Sequence, residues 1–185
     1  QMMWSHVILG NSQCADQTST GNTAPTANAG ADYTIPSLTP YRLTASGQDA
    51  DGTESLTYTW EQYDLGPSGV PTETTVEGPL VRSYPPKTSP TRFIPNLPDL
   101  LQSNGSTEWE VLPGVSRSMN FKVTVRDNDP RGGQTASDEM TINVASALQA
   151  VPFAVTSQNT SNISWTPGET ETIEWNYIGT TGNGI

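Results

Sequence analysis

The residues best suited to chemistry are acids held in two short clusters. The first lies in "QDADGTESLTYTWEQ", Gln48 to Gln62, where Asp49 and Asp51 precede an alternating apolar stretch. The second is "RDNDPRGG", which sets Asp127, Asn128 and Asp129 directly after the strongest strand signal of the chain. Asn22 stands just ahead of both, where the folded unit begins. Loops of a two-layered β domain gather at its poles, so these segments can meet. A site built from Asn22, Asp49, Asp51, Asp127 and Asp129 would offer only hard oxygen atoms, which is calcium chemistry. The Asp-Ala-Asp-Gly run starts like an EF-hand loop but fails its pattern. Glu54 occupies the glycine position, Trp60 occupies the bidentate glutamate position, and a strand follows instead of a helix. Two readings stand: Asp, Asn and Gly as turn formers alone, or as turn formers that also hold calcium.

Other chemistries lack their residues. The chain has one histidine, His6, and one cysteine, Cys14, with no His-Glu-x-x-His motif. A complete zinc site of the usual kind needs more imidazole or thiolate ligands than these. There is no Gly-x-Ser-x-Gly elbow, and "RGGQ" lies between two strands as a turn, not ahead of a helix as a phosphate loop. A pair of carboxylates can cleave a glycoside, but acids of β-rich chains mostly sit in solvated loops. The residue types therefore point to a chain that is not itself an enzyme.

Nineteen acidic against eight basic residues give a net charge of −11. That balance repels nucleic acid and anionic membrane surfaces, and suits either simple solubility or hard cations. No stretch has the length or apolarity of a membrane span. The single Cys14 has no internal disulfide partner, so a partner is expected elsewhere. Both ends of the chain read as cut from something longer.

The elements that must position the acids are strands. Period-2 alternation marks "DYTIP" (Tyr33, Ile35), "YRLTA" (Tyr41, Leu43, Ala45), "LTYTW" (Leu56, Tyr58, Trp60), "SMNFKVTVRD" and "DEMTINVA" (Met140, Ile142, Val144). In the fourth, Met119, Phe121, Val123 and Val125 face inward and Asn120, Lys122, Thr124 and Arg126 face outward. One buried and one solvated face predict an antiparallel β-sandwich. Residues 11–30 read as a polar linker, after a short helical fragment within "QMMWSHVILG". Between Asp64 and Arg117 the prolines predict loops or edge pieces, an insertion of about fifty residues, long for a connection. Within it "TRFIPNL" reads as a short strand anchored by Phe93 and Leu97, and "STEWEVLPG" as an edge element or turn. A second strand rhythm follows, with Phe153 and Val155, Ile163 and Trp165, and Ile173 and Trp175 alternating around a "TPGE" turn. Trp60, Tyr58, Trp165 and Trp175 read first as core and second as a sugar or peptide platform. Three Asn-x-Ser/Thr sequons, at Asn104, Asn159 and Asn162, are weak signals in so Ser/Thr-rich a chain.

The combination "APTANAGADYTIP", "YRLTASGQDADGTESLTYTWEQYD" and "FKVTVRDNDPRGGQTASDEMTINV" resembles a polycystic-kidney-disease (PKD)-like module of immunoglobulin type, over roughly Ala24 to Ala145. The shared features are the AxAGxD opening, the Asp-rich turn before "LTYTWEQ", and the closing "VTVRDND" and "MTINV" strands. The chain departs from that family in its Pro-rich insertion and in carrying "WEQYD" where "WDFGDG" is usual. The flanks are similar to those of secreted bacterial reprolysin-like zinc metallopeptidases: "QMMWSHVILGNSQCADQT" to the last catalytic helix, "PFAVTSQNTSNISWTPGETETIEWN" to the next Ig-like module. The resemblance implies three parts. Residues 1–23 are the tail of an upstream catalytic domain and a linker, 24–147 the PKD-like sandwich, and 148–185 the start of a partial second Ig-like β domain. It also implies a secreted, extracellular protein whose zinc ligands all lie upstream of Gln1. Cys14 would pair within that upstream domain, and Thr59 would stand where relatives often carry a cysteine.

The function expected from these features is that of a non-catalytic accessory module, a spacer or stabiliser, or a binder of protein or polysaccharide substrate. Its immediate partners would be the upstream peptidase domain and the downstream Ig-like domain. The alternative is an adhesion or cell-surface stalk module attached to no enzyme.

Overall fold

The computed structural model describes residues 18–102, 107–145 and 154–176. The expected N-terminal helix, His6, Cys14, Asn104 and Phe153 lie outside these residues. The regular secondary structure of the described residues is almost wholly β. Its strands are β1 (Thr26–Asn28), β2 (Tyr33–Pro36), β3 (Tyr41–Thr44), β4 (Ser46–Gln48), β5 (Thr57–Gln62), β6 (Thr91–Ile94), β7 (Arg117–Arg126), β8 (Thr135–Ala145), β9 (Ala154–Val155) and β10 (Trp175–Asn176). One short helix, α1 (Leu97–Gln102), follows β6.

A four-stranded sheet runs in the order β2-β8-β7-β5. Strand β7 is its spine because its sequence alternates most cleanly. Met119, Phe121, Val123 and Val125 are fully buried on one face, while Asn120, Lys122, Thr124 and Arg126 are only partly covered on the other. Each such burial is worth about 1.5–3 kcal/mol relative to exposure. Strands β5 and β8 flank β7 in antiparallel register, with Trp60 opposite Val123 and Met140 opposite Phe121. The sheet is not antiparallel throughout, as alternation alone predicts. Strand β2 runs parallel to β8, Ile35 beside Val144. Alternation reports which face is buried and is silent on strand direction.

Two ribbons complete the core. Strands β3 and β6 pair antiparallel, Leu43 opposite Arg92. Tyr41 of β3 meets Phe121 edge-on, ring centres 6.1 Å apart. Strands β1 and β4 pair antiparallel, Ala27 opposite Gly47. Strand β1 lies inside the segment that reads as linker. Its three residues are small and polar and show no periodicity, so only tertiary pairing makes it a strand. Gly47 in β4 fits for a steric reason: a Cβ there would sit 3.0 Å from the Tyr58 hydroxyl and 3.1 Å from Val125 Cγ1.

The Pro-rich insertion is packed, not merely looped out. Leu80, Val81, Val111 and Leu112 are buried. Two arginines fasten it. Arg117 donates to Thr75 O (2.9 Å) and Gly78 O (2.6 Å). Arg92 donates to Trp60 O (2.8 Å) and pairs with the fully buried Glu110 (2.8 Å). Glu110 also accepts the Asn96 amide at 2.7 Å. Gln62 adds a third tie, its side-chain oxygen accepting Leu80 N at 2.8 Å. Phe93 and Leu97 do not anchor β6 as expected: they are 40% and 46% exposed, and Ile94 is the buried residue instead. In the register with β3 it is Ile94, opposite buried Tyr41, that points inward.

Among the described residues, none of the β9–β10 segment belongs to this core. Val155, Ile163, Trp165, Ile173 and Trp175 are all exposed, against the expectation that its tryptophans are core residues.

Candidate functional site

The acid clusters meet at one pole, at the turn joining β7 to β8. Asp127 is the first residue beyond β7 and is buried. Its Oδ1 accepts the Gln134 amide (2.8 Å) and the Asp129 amide (3.2 Å), which closes the turn. Its Oδ2 accepts the Asn22 side-chain amide at 2.7 Å. Asn22 donates as well to Gly132 O (3.0 Å), and its own carbonyl accepts Gln134 Nε2 (2.8 Å). Gly132 has φ of 138°, a conformation open to glycine and strained for other residues. Asn128 takes φ of 54°, which asparagine tolerates, and its side chain donates to Ser55 O (2.6 Å) and Thr57 Oγ1 (3.0 Å). The turn is thereby tied to the start of β5.

The loop after β4 joins through Asp51 and Arg131. Asp51 Oδ2 accepts the Thr23 amide at 2.7 Å. Arg131 forks onto Asp129, with Nε 2.9 Å from Oδ1 and Nη2 2.6 Å from Oδ2. The same Nη2 is 3.3 Å from Asp51 Oδ1, and Nη1 donates to Gly21 O at 3.2 Å. Asp49 caps its own loop, Oδ1 accepting Asp51 N at 2.8 Å. Asn22, Asp51, Asp127 and Asp129 are therefore brought into one network, and Asp49 is attached to it through the Asp51 backbone.

The charges respond to these contacts. Burial pushes the Asp127 carboxyl up, but hydrogen bonds from Asn22, Gln134 and Asp129 outweigh it and hold the group below the ordinary carboxylate range. The Thr23 amide, then Arg131, lowers Asp51. Arg131 lowers Asp129, and the two carboxylates push Arg131 up in turn.

Sequence reasoning passed over Arg131, Gln134 and Thr23. A cation two residues after the last acid of "DNDPRGG" is the signal that points to Arg131. Gln134 and Thr23 act through an amide and a backbone N–H, for which no sequence signal exists.

The donor set suits calcium chemically, being all hard oxygen. Two buried acceptors, Asn22 Oδ1 and Asp49 Oδ2, have no hydrogen-bond partner among the described residues. The arrangement itself gives the cation's place between Asp51 and Asp129 to the Arg131 guanidinium. Among the described residues no three His, Cys, Asp or Glu side chains group closely enough to hold a metal ion. Of the candidate platform aromatics, Trp60 is core, its Nε1 donating to Pro90 O at 3.0 Å, and Tyr58 packs against that core. Among the described residues no helix is long and apolar enough to cross a membrane. No protein-family model matches the chain, and no curated protein matches it.

Proposed function

We propose that this chain is a non-catalytic accessory module of a secreted zinc metallopeptidase, built as a PKD-like, immunoglobulin-type sandwich, and that it serves as a spacer with a stiff incoming joint. One observation carries the reading. Residues Gly21–Thr23, which lead into β1, are held at three points by loops from elsewhere in the domain: Gly21 O by Arg131, Asn22 by Asp127, and Thr23 N by Asp51. A flexible tether has no need of such a network, whereas a module that orients a preceding domain does.

The test uses the longer protein. A His-Glu-x-x-His upstream of Gln1, peptidase activity that persists on a short peptide when residues 24–147 are deleted, and no hydrolysis by the 185-residue chain alone would support the reading. Hydrolysis by the isolated chain, or a non-enzymatic upstream sequence, would sink it, and the latter would favour the adhesion-stalk alternative.

A second reading is favoured by the two orphaned oxygens. Calcium competes with Arg131 at this pole, drawing on Asn22, Asp49, Asp51, Asp127 and Asp129. Saturable heat on calcium titration of chelator-treated protein supports this reading, and its absence removes it.

A further inference from the structure

The Pro-rich insertion does more than cover the sheet edge. Together with β5 and β6 it walls a cavity of about 390 Å³, within the range of about 300–1,000 Å³ typical of ligand pockets. Its walls include Pro85, Phe93, Leu97 and Pro98, an apolar set stiffened by proline rings. Two cations, Lys87 and Arg92, also line it, and among the described residues no Asp or Glu does. In a chain with 19 acids and 8 bases that is a local reversal of charge.

The two cations differ. Arg92 is committed to Glu110 and to backbone carbonyls. Lys87 is exposed and has no carboxylate partner among the described residues; its ammonium lies 6.0 Å from the centre of the Tyr84 ring. The backbone of Lys87 is fixed against β5, Lys87 N donating to Tyr58 O (3.0 Å) and Tyr58 N to Lys87 O (2.7 Å). That pairing closes this part of the β5 edge to an added strand, so a ligand is recognised by side chains in the cavity.

The aromatic arrangement separates peptide from sugar. Sugar rings stack on free aromatic faces, but Tyr84 is taken up by cations: Arg92 at 4.9 Å, Arg82 at 5.9 Å and Lys87 at 6.0 Å. Trp60 is buried. Of the described rings that line the cavity, only that of Phe93 is exposed. We infer that this cavity docks an acidic polypeptide segment, one apolar side chain entering beside Phe93, Leu97 and Pro98 while a neighbouring carboxylate meets Lys87. As the substrate-docking surface of a peptidase accessory module, it rests on the reading above; the binding chemistry itself does not.

The test is an amide NMR titration of the 185-residue chain with three probes: blocked Glu-Leu-Asp-Phe-Glu, blocked Lys-Leu-Lys-Phe-Lys, and tetragalacturonate. The expected result is saturable shifts from the acidic peptide confined to the lining residues, with affinity about tenfold weaker or worse for the basic peptide and for Lys87→Glu. Phe93→Ala, at an exposed position, weakens binding without unfolding the chain. No saturation with the acidic peptide, affinity unchanged in Lys87→Glu, or binding of tetragalacturonate alone would overturn the inference, the last by making the site one for acidic sugar. Failure of the peptidase reading would leave all of these titrations unchanged.

Discussion

Asn22 donates its side-chain amide to Asp127 across 2.7 Å and 105 positions of sequence. The bond joins the segment that enters the domain to the turn that reverses its longest ribbon. It makes the incoming chain part of the folded unit.

Removing the acceptor should be costly. Asp127→Ala leaves Asn22 Nδ2 without this partner and takes one acceptor from the amides of Gln134 and Asp129. An unsatisfied buried donor costs about 1–3 kcal/mol. Urea unfolding should show a loss of that size in Asp127→Ala, with Asn22→Ala losing less. Two midpoints equal to wild type would mean that water replaces these bonds without penalty.

The same corner sets an acid limit. Asp51, Asp127 and Asp129 all have folded pKa values below the ordinary 3.8. A depressed folded value stabilises the protein fully above the unfolded value, and the contribution is lost as pH falls through the folded one. Stability should therefore be flat in this respect above about pH 5 and fall steadily below about pH 4. Arg131→Ala releases Asp129 and weakens the hold on Asp51, so its melting temperature should depend less steeply on pH in that acid range. An unchanged slope would show that other carboxylates govern the acid transition.

The Arg92–Glu110 pair offers a sharper contrast. Glu110 is fully buried and Arg92 nearly so, with 11% of its side chain exposed. Breaking a buried pair on one side typically costs about 3–5 kcal/mol, whereas replacing both partners with apolar residues is often neutral. Glu110→Ala should strongly destabilise the chain and loosen the insertion, seen as faster proteolysis at residues 64–90. Arg92→Met with Glu110→Leu should recover much of the loss. A double variant as unstable as the single one would show that the hydrogen bonds to Trp60 O and Asn96 N matter more than the charges.

Calcium is the fourth test. If it displaces Arg131 from Asp51 and Asp129, saturation at about a hundredfold excess over the dissociation constant adds about 2.7 kcal/mol. The melting temperature should rise, and the rise should vanish in Asp49→Ala and persist or grow in Arg131→Ala. An identical melt with calcium and with chelator leaves the acids as turn formers held by Arg131.

Legibility in the sequence tracked periodicity. Strands β2, β3, β5, β7 and β8 show in the alternation of Ile35, Leu43, Trp60, Val123 and Ile142, because burial of one face imposes it. Strands β1 and β4 did not show: "TAN" and "SGQ" carry no apolar alternation and exist only through pairing with each other. The direction of β2 was equally hidden, since parallel and antiparallel neighbours bury the same face. The convergence of Asn22, Asp51, Asp127 and Asp129 followed from loops collecting at one pole. Arg131 stays hidden because "DPRGG" reads as a turn, and turn propensity does not report which charge the cation in it neutralises. The cavity beside β6 has no sequence signal, because its lining combines residues 58–60 with a separate stretch, 84–98.

The joint itself is open to direct measurement. Nitroxides at Ser19→Cys and Ser137→Cys, in a Cys14→Ser background, report the distance between the incoming segment and β8 by double electron–electron resonance. A stiff joint gives a narrow distance distribution that broadens in Asn22→Ala with Arg131→Ala. A broad distribution in the otherwise unaltered chain, indifferent to those substitutions, would contradict the account, because the incoming segment would then be a tether and the polar corner a turn.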